Sequence, residues 1–92
     1  MALQTAAKGN PTTGQVSVST TAQAVAANSV RRGCDLKNTH ASTIIYVGPS
    51  GVTTSNGFPL GPGESYTWKS VGAIHAVAST GSATLAYADY QD

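Results

Sequence analysis

The sequence predicts a small all-β fold: a β-sandwich or jelly-roll-like barrel of about seven to eight short strands, preceded by an extended N-terminal arm. Three observations predict it. Apolar and polar residues alternate in several short segments, turn-forming residues recur about every 8–12 residues, and no segment keeps the apolar period of a helix. With 92 residues, the chain has the size of one domain.

The start of the chain is predicted to be an extended arm outside the folded domain. Residues 1–14 have no period and are rich in Ala, Thr, Gly, Asn and Pro, so the folded domain is expected over residues 15–92. Fully extended, the arm would reach about 45 Å. Such an arm either lies across a neighbouring subunit or is a frayed end, and its candidate contact residues are Leu3, Gln4 and Lys8.

The first strands follow the arm directly. Alternation begins at Gln15, with Val16 and Val18 on one face. It continues over residues 21–27, where alanine occupies alternate positions, although alanine would also support a short helical turn. The sequence therefore predicts two strands before the first charged cluster.

The next predicted strand, 31–37, contains the only cysteine of the chain. Cys34 shares a face with Leu36, which predicts a buried small hydrophobe in preference to a reactive thiol. With one cysteine, no internal disulfide can form. Arg31 and Arg32 are the only basic pair. They are expected to be an exposed strand start or to form a local ion pair, and the alternative is an interface anchor.

The middle of the chain combines the clearest strand with a glycine-rich stretch. Thr43–Val47 is rich in β-branched residues, which favour strands. The stretch Gly48–Gly63 is rich in turn formers. Within it, Val52–Thr54 is predicted as a short edge strand and Asn56-Gly57 as a tight turn.

Three further strands complete the fold. They are Ser65–Lys69, Ile74–Ala78 and Ala83–Tyr90. Thr80-Gly81-Ser82 predicts a hairpin turn between the last two. Most bulky aromatic residues are expected in the core, whereas Tyr90, near the chain end, suits an interface equally well. The six aromatic residues are Tyr46, Phe58, Tyr66, Trp68, Tyr87 and Tyr90.

Composition restricts the function classes. Charged residues make up 10% of the chain, against about 25% in ordinary soluble domains, and the net charge is +1. A surface with so little charge repels neighbouring copies weakly, which suits repetitive packing. The sequence contains no basic patch of the kind that binds nucleic acid. No signal peptide or membrane-spanning run is visible. With 7% aromatic residues, the chain has few large side chains to fill a core. We therefore expect the fold to be stabilised by oligomerisation or by docking onto a larger assembly.

The sequence predicts no enzyme, metal or cofactor. General acid–base catalysis needs two positioned titratable groups, and the acids lie on separate elements: Asp35, Glu64, Asp89 and Asp92. His40 and His75 stand alone, too few with one cysteine for a zinc site. His75 alternates opposite apolar neighbours and is expected to face solvent or an interface.

One stretch resembles a known family. Residues 44–65 read Ile-Ile-Tyr-Val-Gly-Pro-Ser-Gly-Val-Thr-Thr-Ser-Asn-Gly-Phe-Pro-Leu-Gly-Pro-Gly-Glu-Ser. They resemble small virion proteins of tailed bacteriophages, where a strand leads through Gly-x-x-Gly-Val-Thr, Asn-Gly-Phe-x-Leu and Pro-Gly-Glu-Ser to another strand. Asp35-Leu36-Lys37-Asn38 and Ile74-His75-Ala76-Val77-Ala78 fit the same layout, so the resemblance covers roughly residues 30–90. It implies a β-sandwich on the capsid or tail, with no catalytic residues to carry over.

The leading hypothesis is a capsid decoration or cement protein, made in the host cytoplasm and located on the virion. Its expected partners are the major capsid protein or other virion subunits, and it is expected to be a homo-oligomer, with a trimer favoured. Contacts are expected from the arm and from the loop Gly48–Gly63, with Val52, Phe58 and Tyr90 among the contact residues. Two alternatives remain: a tail, neck or fibre-attachment component, and a receptor- or glycan-binding module on the virion.

Overall fold

The computed structural model describes residues 12–26, 31–69 and 72–91, and for Ala26, Arg31, Arg32 and Gln91 it describes the backbone alone. The described residues form eight strands and no helix, which confirms the all-β prediction. The strands are β1 (Thr12–Ser19), β2 (Gln23–Ala26), β3 (Arg31–Asn38), β4 (Ile45–Gly48), β5 (Phe58–Leu60), β6 (Ser65–Trp68), β7 (Ile74–Ala78) and β8 (Ser82–Gln91).

The strands form two four-stranded sheets, in which every pair is antiparallel. The first sheet has the order β1-β8-β3-β6 and the second sheet the order β2-β7-β4-β5. The inward faces of the two sheets share one apolar cluster, so the fold is a small β-sandwich.

The core is aliphatic. Strand alternation turns Cys34 and Leu36 inward, where they are 0% and 1% exposed, as predicted. The prediction that most aromatic rings fill the core was wrong: Tyr66, Trp68 and Tyr87 pack against the cluster but stay partly exposed. The cluster itself consists of Val18, Val25, Cys34, Leu36, Ile45, Val47, Leu60, Ile74, Ala76, Ala78, Ala83 and Leu85.

Strand β1 begins three residues earlier than predicted, at Thr12 instead of Gln15. Its register with β8 pairs Thr12 with Asp89 and Gly14 with Tyr87. A β-carbon at Gly14 would lie 2.7 Å from the Tyr87 hydroxyl oxygen, so a larger residue there would require the Tyr87 ring to move. Residues 12–14 therefore belong to the sheet. The predicted arm otherwise lies outside the described residues and stays a prediction.

The predicted hairpin at Thr80-Gly81-Ser82 was wrong. Strand β7 lies in the second sheet and β8 in the first, so the chain turns a corner between the sheets there. Gly81 has a φ of 56°, a left-handed conformation that residues other than glycine rarely adopt. A turn sequence sets the local chain reversal, but it does not state whether the two strands then pair.

The edge strand of the second sheet was also misplaced. Residues 52–54 are not a strand, whereas β5 pairs with β4 through Val47–Phe58 and Ile45–Leu60. This strand was not predicted because Pro59 is a turn former and cannot donate a ladder hydrogen bond. At the edge of a sheet that donor is not needed, so proline is tolerated.

Candidate binding surface

The loop that follows β4 opens with a tight turn. The Val52 amide donates to the Pro49 carbonyl oxygen at 3.1 Å. Gly51, the third residue of this turn, has a φ of 91°, the conformation that a type II turn demands at that position. The turn aims Val52 back toward the end of β4.

Thr53 and Asn56 brace the next turn by reciprocal hydrogen bonds. The Thr53 hydroxyl oxygen accepts the amides of Ser55 and Asn56 at 3.1 and 3.3 Å. The Asn56 side-chain oxygen accepts the Thr53 amide at 2.7 Å. The Gly57 amide closes the turn on the Thr53 carbonyl at 2.9 Å. This is the arrangement of a capping box on a single turn, and it fixes an exposed segment without a core of its own.

Val52 fastens this loop to the outer face of the second sheet. Its side chain is 4% exposed. A β-carbon at Gly48 would lie 2.9 Å from Val52 Cγ2, and one at Gly57 would lie 2.8 Å from it, so both glycines make room for the valine. Val52 is a packing residue, which removes it from the candidate contact residues.

A third turn, Gly61–Glu64, joins β5 to β6. The Glu64 amide donates to the Gly61 carbonyl at 3.0 Å, and Glu64 Oε1 accepts the Gly61 amide at 2.6 Å. Pro62 at the second position and Gly63, with a φ of 79°, at the third are the residues that a type II turn prefers. Two turns therefore join β4 to β5, and this third turn joins β5 to β6.

Asn38 is the polar centre of this end of the sandwich and is 0% exposed. Its Nδ2 donates to the carbonyls of Thr43 and Leu60 at 2.7 and 2.8 Å, and its Oδ1 accepts the His40 amide at 2.9 Å. These bonds join β3 in the first sheet to the end of β5 in the second. This role was not predicted, although a polar residue two positions beyond Leu36, on the inward face of the strand, was the available signal.

His40 has a structural part in the same connection. Its Nδ1 accepts the amides of Ser42 and Thr43 at 3.1 and 3.0 Å, which places the ring proton on Nε2. His75 lies on β7 and is half-buried. Among the residues that the structure describes, no three His, Cys, Asp or Glu side chains come together as a metal site would need.

Phe58 stands at the end of the braced loop and is the most exposed large hydrophobic residue in the described chain, at 51%. Its ring centroid lies 4.5 Å from that of Tyr66, and Tyr66 lies 6.5 Å from Trp68 in an edge-to-face arrangement. These three rings, the aromatic ridge, run along the side of the sandwich where β5 and β6 form the edges. Ring contacts of this kind hold the Phe58 side chain in place while one face stays in solvent.

A second candidate surface lies on the outer face of the first sheet. Asp35 accepts the Thr67 hydroxyl on Oδ1 at 2.8 Å and the Tyr90 hydroxyl on Oδ2 at 3.0 Å. The hydrogen bond to Asp35, and next the charge of that carboxylate, raise the pKa of Tyr90 above its ordinary value. Beside this network is a hollow of about 460 Å³, lined by Asp35, Leu36, Lys37, Ser65, Tyr66, Thr67, Ala86, Tyr87 and Ala88.

The predicted contact residues do not converge on one site. Phe58 lies on the aromatic ridge and Tyr90 on the outer face of the first sheet. Arg31 pairs with Gln91 through the backbone at the far end of β3, and Arg32 falls in the register shift beside it. The arm residues Leu3, Gln4 and Lys8 lie outside the described residues.

Comparison with known proteins assigns no family. No protein-family model matches the chain, and neither a curated protein nor a solved structure matches it. In the part of the chain that the structure describes, no helix is long and apolar enough to cross a membrane.

Proposed function

We propose that this protein is a non-enzymatic virion component, a capsid decoration or cement protein that binds the assembled head lattice and stabilises it. The observation that carries the proposal is the aromatic ridge, with Phe58 held half-exposed beside a loop fixed by its own hydrogen bonds. The resemblance of residues 44–65 to small phage virion proteins covers this same loop and strand β5. The partner is the major capsid protein or another virion subunit.

The structure of the loop suits attachment. Ordering a flexible loop on binding takes about 0.5–1.5 kcal/mol for each immobilised side chain. The Thr53–Asn56 bonds and the buried Val52 remove much of that penalty before the partner arrives. An exposed aromatic ring supplies the kind of anchor that dominates interface energies.

Stabilisation of the head follows from mass action. A protein that binds only the assembled lattice lowers the free energy of that lattice relative to free subunits. If several copies act as one oligomer, each further contact is intramolecular, so modest individual affinities add up to high avidity. A surface of low charge allows neighbouring copies to pack closely on a repeating lattice.

The test is binding of purified protein to particles that lack it. Phe58→Ala is expected to lower the bound copies per particle about tenfold at limiting protein, as loss of an aromatic anchor does. Ile44→Ala is the matched control, because it also removes an exposed large hydrophobic residue, 36% exposed and outside the ridge. Circular dichroism of both variants checks the fold. Failure of the wild-type protein to bind heads, or equal binding by Phe58→Ala, would contradict the proposal.

The hollow beside Asp35 favours one second candidate, a glycan- or receptor-binding module on the virion. Its lining offers a carboxylate held by two hydroxyl donors together with further hydroxyls and a lysine, the groups that hydrogen-bond to sugars. Binding of the isolated protein to glycans or host cells, abolished by Asp35→Asn and retained by Phe58→Ala, would select this alternative. Isolation of the protein with tails instead of heads would select the tail, neck or fibre location.

A further inference from the structure

The four sheet edges in the described residues differ in how they are protected. Three have features that limit pairing with another chain. Strand β5 has three residues and contains Pro59, β2 has four and a register shift between Ala24 and Ala26, and β6 has only four. Short edge strands, prolines and bulges are the devices by which proteins prevent edge-to-edge association.

Strand β1 has none of these protections. It runs for eight residues, Thr-Thr-Gly-Gln-Val-Ser-Val-Ser, with no charge and no proline. Its register with β8 is unbroken from Thr12–Asp89 to Ser19–Ser82. In the described part of the chain no strand pairs with its other side. Every second residue of an edge strand directs its amide and carbonyl away from the sheet.

We propose that β1 pairs antiparallel with β1 of a second copy of this chain, across a two-fold axis, so that the two first sheets become one eight-stranded sheet. The residue pattern of the strand permits this pairing. Val16 and Val18 lie on the inner face, and the exposed Thr13, Gln15 and Ser17 lie on the outer face. Paired residues must share a face.

A register with Val16 opposite Val16 of the second copy meets that condition. It places Gly14 opposite Val18 on the inner face and Gln15 opposite Ser17 on the outer face. No charged residue of β1 faces another across the axis, so no like-charge repulsion opposes the pairing. Val16, which is partly exposed in the single copy, becomes further covered.

The proposal goes beyond the proposed function and does not depend on it, since a dimer forms whether or not heads are bound. It also replaces the trimer that the sequence favoured with a dimer. A two-fold edge pairing uses the same edge of both copies and is closed, so it cannot add a third chain.

Amide hydrogen exchange, measured residue by residue, tests the pairing directly. At high protein concentration both alternating sets of β1 amides are expected to be protected, those bonded to β8 and those on the outer side. On dilution below the dissociation constant, the outer set alone is expected to lose protection. An outer set that exchanges freely at every concentration overturns the proposal, and so does protection that dilution leaves unchanged.

Sedimentation equilibrium of charge variants gives a second test. The Gln15→Lys, Ser17→Lys double variant places four lysines together across the axis and is expected to raise the dimer dissociation constant by about tenfold or more. The control, Ala41→Lys with Ser42→Lys, adds the same charge at two exposed positions in the β3–β4 connection and is expected to dimerise like the wild type. A monomeric wild type overturns the proposal, as does any oligomer that survives in both variants. Loss of head binding with an intact dimer contradicts only the proposed function.

Discussion

The two sides of the sandwich are closed in different ways. On one side, β5 and β6 are short, a proline interrupts the edge, and the aromatic ridge spans the gap between the sheets. On the other side, β1 lies over β2 and presents eight residues of continuous, uncharged strand. The first side offers side chains to a partner, and the second offers backbone hydrogen bonds.

The two proposals give different partners to the two sides. Backbone pairing needs a matching strand and is indifferent to most side chains, so it suits a second copy of the same chain. An exposed ring on a fixed loop needs a complementary pocket, so it suits a different protein. Under the two proposals, one small domain binds its own copies on one side and a lattice on the other.

The largest expected effect is at the Asn38 junction, which holds the aromatic side together. Asn38→Ala leaves the Thr43 and Leu60 carbonyls without their buried donor and is expected to lower the free energy of unfolding by about 3 kcal/mol. Asn56→Ala is the matched control. It also removes a side-chain hydrogen bond, of 2.7 Å, but an exposed one that water replaces, so about 0.5 kcal/mol is expected.

Urea denaturation of the two asparagine variants measures both values. If both variants lose the same free energy of unfolding, the buried hydrogen bonds of Asn38 add nothing to stability, and apolar packing alone holds the two sheets together at this junction. A larger loss at Asn38 with unchanged hydrogen exchange in β1 would show that the two sides of the sandwich open independently.

The second effect concerns the packing of the β4–β5 loop against the outer face of the second sheet. In Gly57→Ala the new β-carbon would lie 2.7 Å from Tyr46 Cβ and 2.8 Å from Val52 Cγ2. The loop must then move off the sheet, at an expected loss of about 2 kcal/mol, the usual range for overpacking. Ser55→Ala, at an exposed position of the same loop, is expected to change little.

Thermal unfolding and head binding of Gly57→Ala sharpen the comparison. Because the substitution displaces the loop beside Phe58, head binding is expected to fall while dimerisation through β1 is retained. A variant of wild-type stability would show that Val52 and Tyr46 adjust without strain.

The sequence predicted the strands well where alternation was regular. Ile74–Ala78 matches β7 residue for residue, and the shared face of Cys34 and Leu36 is the inner one. An alternating pattern predicts a strand correctly when one face of the strand is shielded from water. Which strands pair is a property of the whole fold, so the turn at Gly81 was taken for a hairpin although it crosses between sheets.

The candidate surfaces were less predictable. Phe58 was selected as a contact residue and is exposed, whereas Val52 was selected for the same reason and is buried. The difference depends on Gly48 and Gly57, whose missing side chains leave space for Val52 against the outer face of β4. Hydrogen-bond networks such as that of Asn38 join residues 22 positions apart, and a single sequence carries no signal of that pairing.

A smaller effect is expected at Cys34, which lies in the core between the two sides. Cys34→Ala removes one sulfur atom from a site that is 0% exposed, and about 1 kcal/mol is expected to be lost. The native thiol is expected to react with a thiol reagent only at the rate of unfolding. Rapid labelling of the folded protein would show instead that the sandwich opens near β3.

The smallest effect is expected at Tyr90, on the outer face of the first sheet between the two sides. The Tyr90 hydroxyl donates to Asp35, whose hydrogen bond and negative charge both favour the protonated phenol and raise its pKa above 10.0. The resulting stabilisation is present while Tyr90 is protonated in both states, below about pH 10, and is lost as pH rises through the raised pKa of the folded protein. The melting temperature of Tyr90→Phe is therefore expected to lie slightly below that of the wild type at neutral pH, with the gap closing at alkaline pH.

An ultraviolet titration measures the ionisation of Tyr90 directly. The difference in tyrosinate absorbance between the wild type and Tyr90→Phe is expected to have a midpoint above pH 10.0, and Asp35→Asn is expected to return this midpoint toward 10.0. A midpoint that Asp35→Asn leaves in place would show that the carboxylate does not hold this ring, and that the hollow beside it lacks the fixed polar wall that a sugar-binding site needs.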